Sequence, residues 1–352
     1  MGTIRFLLAF AVVSAHIPAP TFYFFHSHLA VISFFVISGF YMSLILNEKY
    51  HSYRSFLINR LLRLFPVYWV VLFITFVFVL FHHNFVYSAY WELLSIPSFI
   101  LVVLTNLFII GQDIVMFMGV NLANGSIYLT SINLDNVDFP LYHYLLIGPA
   151  WSISLELMFY MAAPFLVKKK AWLIILIILL SASFRFYMGK LGFINDPWSY
   201  RFFPFEITFF CWGILSYKVY ARIKRSAKSG STAWTLFFLM ILYTIGYQYV
   251  PGPYSKLAFN LYPLCLAASI PFIFLQFKSN PWDRYIGDLS YPIYICHTLV
   301  VAFMVMFLYP YLPVSWHKIS WVGITVIVVL FSMALLKFIS DPIDRYRHSK
   351  VI

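Results

Sequence analysis

Eleven apolar segments, roughly 3–17, 28–46, 64–81, 93–110, 149–167, 171–188, 202–220, 232–250, 258–277, 291–310 and 319–339, divide a chain of 352 residues. Nearly all have the length a helix needs to cross a hydrocarbon core of about 30 Å. Inside such a core the backbone must satisfy its own polar groups, and a helix does so within a single segment. Only 10% of the residues are charged, against about 25% in an average soluble domain. The chain is therefore predicted to be an all-α polytopic membrane helix bundle. Residues 1–340 read as one integral-membrane module and residues 341–352 as a short cytoplasmic tail. No internal repeat or low-complexity tract is visible.

A formal charge of +12 raises the question of nucleic acid, but the cations do not cover a face. They cluster between apolar runs: His51 to Arg63, Lys168 to Lys170, Arg222 to Lys228, Lys278 to Arg284 and Arg345 to Lys350. That is the signature of cytoplasmic loops. The basicity reports topology, with anionic membrane lipid or an anionic cosubstrate as a secondary use and no nucleic-acid partner. The longest polar connection, about Gly111 to Tyr144, holds Asn121, Asn124, Asn133, Asp135, Asn136 and Asp138 but no Lys or Arg, and reads as external. If all the basic clusters are cytoplasmic, so are both termini, and the number of crossings is even. One of the eleven segments then does not cross. Segment 93–110, interrupted by Pro97, is the one predicted to be re-entrant or surface-lying, leaving about ten transmembrane helices. The run after Arg5 ends in His16-Ile-Pro-Ala-Pro without a small-x-small site, so it reads as a first span and not a cleaved signal. Cys211, Cys265 and Cys296 all fall within predicted spans, where a lone cysteine behaves as a small hydrophobe; neither a disulfide nor a metal site is expected.

The residues that stand out are polar groups inside apolar segments, because ionisable side chains at membrane depth are costly and mark function. Arg5 and His16 are about three helical turns apart, on nearly one face and roughly 16 Å apart along the axis. Pro18 and Pro20 end that short helix, and His16 is expected to line an outward-facing funnel. Histidine is suited to proton exchange near neutrality; its bland reading is an interhelical hydrogen bond. Arg60 and Arg63 share a helix face leading into Pro66-Val-Tyr68, and two guanidinium forks suit phosphate oxygens, although headgroup anchoring explains them too. Glu156 lies in Trp151-Ser-Ile-Ser-Leu-Glu-Leu-Met-Phe-Tyr160, with Ser152 and Tyr160 placed to satisfy its oxygens. It is either a hydrogen-bond node or a partner that orients a histidine. Leu289-Ser-Tyr-Pro-Ile-Tyr-Ile-Cys-His297 puts a second histidine in a late span, for packing or for chemistry. Ser38-Gly39 within Phe34 to Phe40 forms a small pair suited to close helix contact. Glu206 is a further intramembrane carboxylate whose role the sequence does not assign.

Taken in order, the Arg5…His16 helix, the Ser38-Gly39-Phe40 segment, Arg60-x-x-Arg63 with Tyr68, the Trp151…Glu156…Tyr160 helix and the Ser290-Tyr291…Tyr294…His297 helix resemble the membrane-bound acyltransferase-3 family. Its members are multispan O-acetyltransferases of bacterial surface polysaccharides, and the resemblance covers essentially the whole chain. The second acidic residue that often follows the glutamate is Leu157 here, and these 352 residues hold no counterpart of the extracellular hydrolase-like domain of some relatives. The resemblance implies an O-acetyltransferase in the bacterial inner membrane. Acyl-CoA, most simply acetyl-CoA, would enter from the cytoplasm, held by Arg5, Arg60 and Arg63 with Ser38 and Tyr68. The acceptor would be a hydroxyl of a surface polysaccharide or lipid-linked sugar. His16 would act as general base or as a transient acyl carrier, with Glu156 and His297 orienting or relaying. From the residues alone, a proton-coupled transporter or flippase of a lipid-linked or anionic substrate fits the same groups, although the internal repeats common in transporters are not seen. An enzyme taking its acyl group from a lipid is a third reading. Oligomeric state is not legible.

Overall fold

The computed structural model describes residues 1–18, 24–50, 52–81, 88–130, 137, 139–225, 230–317 and 319–350. Its helices, in chain order, are α1 (Gly2–His16), α2 (Ser27–Glu48), α3 (Tyr53–Phe81), α4 (Ile96–Phe108), α5 (Gln112–Val115), α6 (Trp151–Leu166), α7 (Ala171–Lys190), α8 (Phe203–Ile223), α9 (Gly230–Gly246), α10 (Gly252–Phe277), α11 (Pro281–Phe307), α12 (Val314–His317), α13 (Ser320–Leu335) and α14 (Asp341–Lys350). The only sheet among the described residues is a hairpin of β1 (Met118–Val120) and β2 (Ile127–Leu129). Every one of the eleven apolar segments coincides with a helix. Seven helices among the described residues are long and apolar enough to cross a membrane, so the protein is an integral multi-pass membrane protein. His51, Asn133, Asp135, Asn136, Asp138 and Lys228 of the basic clusters and polar connection, and Pro20 after the first helix, lie outside the described residues.

The bundle is organised around α2, whose apolar window is 78% buried, while that of α7 is only 17% buried and faces outward. A helix apolar on every side belongs at the centre, and glycine lets it sit there closely. A Cβ on Gly39 would lie 2.0 Å from the Phe210 carbonyl oxygen, and one on Gly213 2.1 Å from that of Val36. Helices α2 and α8 therefore cross backbone to backbone, as small residues permit in membranes. The same device joins α1 to α11, where a Cβ on Gly2 would lie 1.5 Å from the Asp283 carbonyl oxygen and one on Gly287 2.7 Å from the Gly2 Cα. Helix α11 starts as its sequence dictates: Asn280 caps it by accepting from the Trp282 and Asp283 amides at 2.9 and 3.2 Å, with Pro281 in the first turn.

Helix α4 has 13 residues, about 20 Å of rise, too little for the hydrocarbon core. Pro97 does not interrupt it but sits in its first turn, where a missing N–H costs nothing. Its C-terminal end is held at the depth of mid-α3. The Tyr68 hydroxyl donates to Asn106 O at 2.5 Å and Trp69 Nε1 to Leu107 O at 2.9 Å. The chain then turns at Ile109 and Gly111, with φ of 65° and 87°, and Ser154 of α6 donates to Asp113 Oδ1 at 2.6 Å. Two further features add to the sequence reading. Residues 341–350 are helical and packed: a π-helical turn, Leu336–Ser340, carries the chain from α13 into α14, and Arg347 is buried there with Nε donating to Asn59 Oδ1 at 3.0 Å. Glu206 gains a role, since Arg185 of α7 donates to its Oε1 at 2.7 Å and ties α7 to α8.

Candidate active site

A cavity of about 480 Å³ opens at the end of the bundle where α1 begins and α2 ends, and Arg5, Ser38, Arg60, Arg63, Glu156 and Tyr294 are among its lining residues. Five of the eight site residues expected from sequence thus share one space, although they come from α1, α2, α3 and α6. The arrangement rests on a carboxylate the sequence did not single out. Asp283 at the start of α11 accepts from the Met1 ammonium and the Gly2 amide on Oδ2 at 2.7 and 2.8 Å, and from the Thr3 amide and hydroxyl on Oδ1, both at 2.9 Å. A carboxylate on the positive end of α1 satisfies amides that the helix leaves open. It fixes Arg5 at the cavity wall, with its guanidinium 6.0 Å from the Tyr41 ring centre.

Arg60 and Arg63 are not equivalent. Arg63 Nη2 donates to Asp288 Oδ1 of α11 at 3.2 Å, so half of the expected phosphate pair already has a counter-charge. Arg60 is 7% exposed, and its Nε is buried without a hydrogen-bond partner. Deeper in, Glu156 Oε1 accepts from the Tyr160 hydroxyl and from the Ser38 hydroxyl, each at 2.6 Å. Tyr160 is the expected partner; Ser152 is not. The Ser152 hydroxyl lies 2.6 Å from that of Tyr294 and donates to Pro149 O at 3.0 Å. The reason is tertiary: α2 brings Ser38 to the carboxylate, and α11 brings Tyr294 to Ser152. Ser38 therefore acts on Glu156. Tyr68 also departs from expectation: it is absent from the cavity wall, and its hydroxyl, which donates to Asn106 O, accepts from Gln112 Nε2 at 3.0 Å. It anchors α4.

Neither His16 nor His297 lines the cavity, so the cavity that holds Arg5, Arg60 and Arg63 does not itself reach His16. Tyr294 is the shared wall: it borders the cavity, and its ring centre is 6.0 Å from that of His297. The His297 and His16 rings meet edge to face at 4.9 Å. In each imidazole Nδ1 is 2.8 Å from a carbonyl of its own helix, Val12 O for His16 and Tyr294 O for His297. A carbonyl only accepts, so Nδ1 carries the proton in both rings, and the Nε2 lone pairs are the basic positions. His297 is fully buried with Nε2 unpartnered, whereas His16 is exposed at the far end of α1. Tyr294 also neighbours a polar aromatic cluster built on Arg201 and Tyr200. The Arg201 guanidinium stands 4.4 Å from the Trp151 ring centre and 4.5 Å from that of Tyr200, and its Nε donates to Asp196 Oδ1 at 2.6 Å. The His28 ring centre is 4.0 Å from Tyr200.

Asp283, Asp288, Asn59 and Arg347 escaped the sequence reading. Asn280-Pro-Trp-Asp283 announces a helix start, but no local signal says that Asp283 caps another helix. The fold and the site define a polytopic membrane protein with a cationic cavity whose Tyr294 wall stands beside one of a pair of imidazoles. The chain belongs to the acyltransferase-3 family: the family model, described as an acyltransferase domain, matches residues 2–337. No curated protein and no solved structure matches the chain.

Proposed function

We propose that the protein moves an acyl group, most simply acetyl, from coenzyme A on the cytoplasmic side to a hydroxyl of a surface polysaccharide or lipid-linked sugar on the other. The observation that carries this reading is the order of groups along one path: guanidinium groups at the mouth, the Glu156 node, Tyr294, and then two imidazoles with free Nε2 positions. Phosphates of the donor bind at the mouth, where Arg5 and Arg60 offer forked donors, and the pantetheine arm extends toward Tyr294. The acceptor approaches from the end bearing His28, Trp151, Tyr200 and Arg201, where aromatic faces and polar groups alternate.

His16 Nε2 removes the acceptor proton as the hydroxyl oxygen attacks the thioester carbonyl. The C–S bond then breaks, and the thiolate of coenzyme A takes the proton back from the imidazolium. His16 is exposed on the acceptor side, which favours direct transfer over an acyl-histidine. The Nδ1–H bonds to Val12 O and Tyr294 O hold the tautomers that this step requires, and His297 lies beside His16 as a relay. Tyr294 must rotate off Ser152 for the thioester to reach His16. On this reading α1, α2, α3, α6 to α11 and α13 are the ten crossings and α4 is re-entrant, with the basic loops and both termini on the cytoplasmic side of a bacterial inner membrane. The deciding experiment is His16→Ala with the protein still in the membrane: surface-glycan acetylation falls by about 10²–10⁴-fold, and unchanged acetylation removes the central residue of the scheme.

A further inference from the structure

The last helix of the chain contributes to the cavity. Asp344 and Arg347 of α14 line it together with Lys49, Tyr50 and Arg60, although residues 341–350 lie beyond the matched family region. Arg5, Lys278 and Arg284 also line the cavity, but four of its cations act on one another beside α14: Lys49, Arg60, Arg63 and Arg347. Asp288 neutralises Arg63, and Asp344 accepts from Arg347 Nη1. Lys49 and Arg60 are left with no ion pair among the described residues, and the Arg60 Nε has no partner at all. A cluster with two positive charges in excess repels itself, and burying a guanidinium without satisfying its N–H groups is costly. The crowding reaches Lys49, which is exposed on one side: partial burial, then the Arg347 and Arg60 charges, push its ammonium below the ordinary lysine pKa, with Asp344 opposing. The Tyr50 and Tyr160 hydroxyls also face Arg60, but they are neutral acceptors.

We infer that Arg60, Arg347 and Lys49 form a second phosphate subsite, separate from Arg63 and completed by the C-terminal helix, which takes the 3′-phosphomonoester of coenzyme A. A phosphomonoester carries close to two negative charges at neutral pH, which matches the excess. The ribose end of the coenzyme lies farthest from its thioester; Lys49 stands at the C-terminal end of α2 and Arg347 on the last helix, whereas Tyr294 is at the middle of α11. Arg347 is held for the task by Asn59, the residue next to Arg60, so α14 and α3 present their guanidinium groups together. The inference rests on the proposed donor, but it can fail without that donor failing.

The test measures binding of coenzyme A, 3′-dephospho-coenzyme A and pantetheine to the full-length protein in nanodiscs of defined lipid. Loss of the 3′-phosphate should weaken binding by about tenfold in the unaltered protein, one charge-assisted contact's worth. In Arg347→Gln coenzyme A should bind about tenfold more weakly, and removing the 3′-phosphate should then cost little more. Asp344→Asn is the control for structure. It deletes the same ion pair yet leaves Arg347 charged, so coenzyme A should bind as well or more tightly, whereas a merely structural pair would weaken both variants alike. Arg347→Gln that distinguishes coenzyme A from its dephospho form as the unaltered protein does overturns the subsite. So does loss of retained anionic lipid in that variant, by native mass spectrometry, with coenzyme A affinity unchanged, because the occupant is then a headgroup. Absence of coenzyme A binding in the unaltered protein overturns the donor itself.

Discussion

Tyr294 borders the cavity on one side and His297 on the other, and under the proposed function its substitutions distinguish a wall from a gate. Tyr294→Ala should open the cavity onto His297 and His16, so water competes with the acceptor and acetyl-CoA hydrolysis rises relative to transfer. Thiol release measured with and without acceptor sugar reads this ratio; an unchanged ratio would mean that the thioester never passes this ring. Glu156→Ala removes the acceptor of two buried hydroxyl bonds, from Ser38 and Tyr160, each of which costs about 1–3 kcal/mol when its partner is left unsatisfied. A fall in melting temperature shared by Glu156→Ala and the double variant Ser38→Ala with Tyr160→Phe would mark a structural node. A loss of transfer confined to Glu156→Ala would mark a functional one. That a carboxylate at this position finds hydroxyls was legible in the chain, since Tyr160 stands one turn away. That one of them is Ser38, 118 residues earlier, was not, because the contact exists only once α2 packs against α6.

Helix crossings carry a separate expectation. Gly39→Ala sets a methyl against the Phe210 carbonyl, and backbone cannot rotate aside as a side chain can. The α2–α8 crossing must widen at a cost of about 1–3 kcal/mol. Thermal unfolding in detergent should show it, and an unaltered melting temperature would mean that the two backbones are not in contact. Asp283→Asn tests the other crossing. It keeps the shape of the side chain but loses the charge that faces the Met1 ammonium and the open amides of α1. The first helix should then exchange its amide hydrogens faster than α2 does. The apolar run after Arg5 announced α1, and Ser38-Gly39 announced a close contact. Neither could identify the facing element, since α8 and α11 follow about 170 and 280 residues later.

Across the whole molecule, the ten-crossing arrangement predicts sides. A cysteine introduced at Asn124, on an exposed turn, should react with an impermeant maleimide in intact cells. One at Lys169, exposed between α6 and α7, should react only after the membrane is opened. Matching labelling of both positions would break the topology. The length and spacing of apolar runs were enough to place eleven helices, because burying a helix in lipid is a property of about twenty consecutive residues and needs no partner. Polar groups inside apolar runs, Arg5 and Glu156 among them, stood out for a related reason: they are conspicuous against their neighbours. What lay beyond the one-dimensional reading was every pairing between segments distant in the chain. The capping of α1 by Asp283, the quenching of Arg63 by Asp288, the capture of Arg347 by Asn59 and the wall at Tyr294 all join segments distant in the chain. Their energies depend on distances of a few ångströms that arise only when the helices pack.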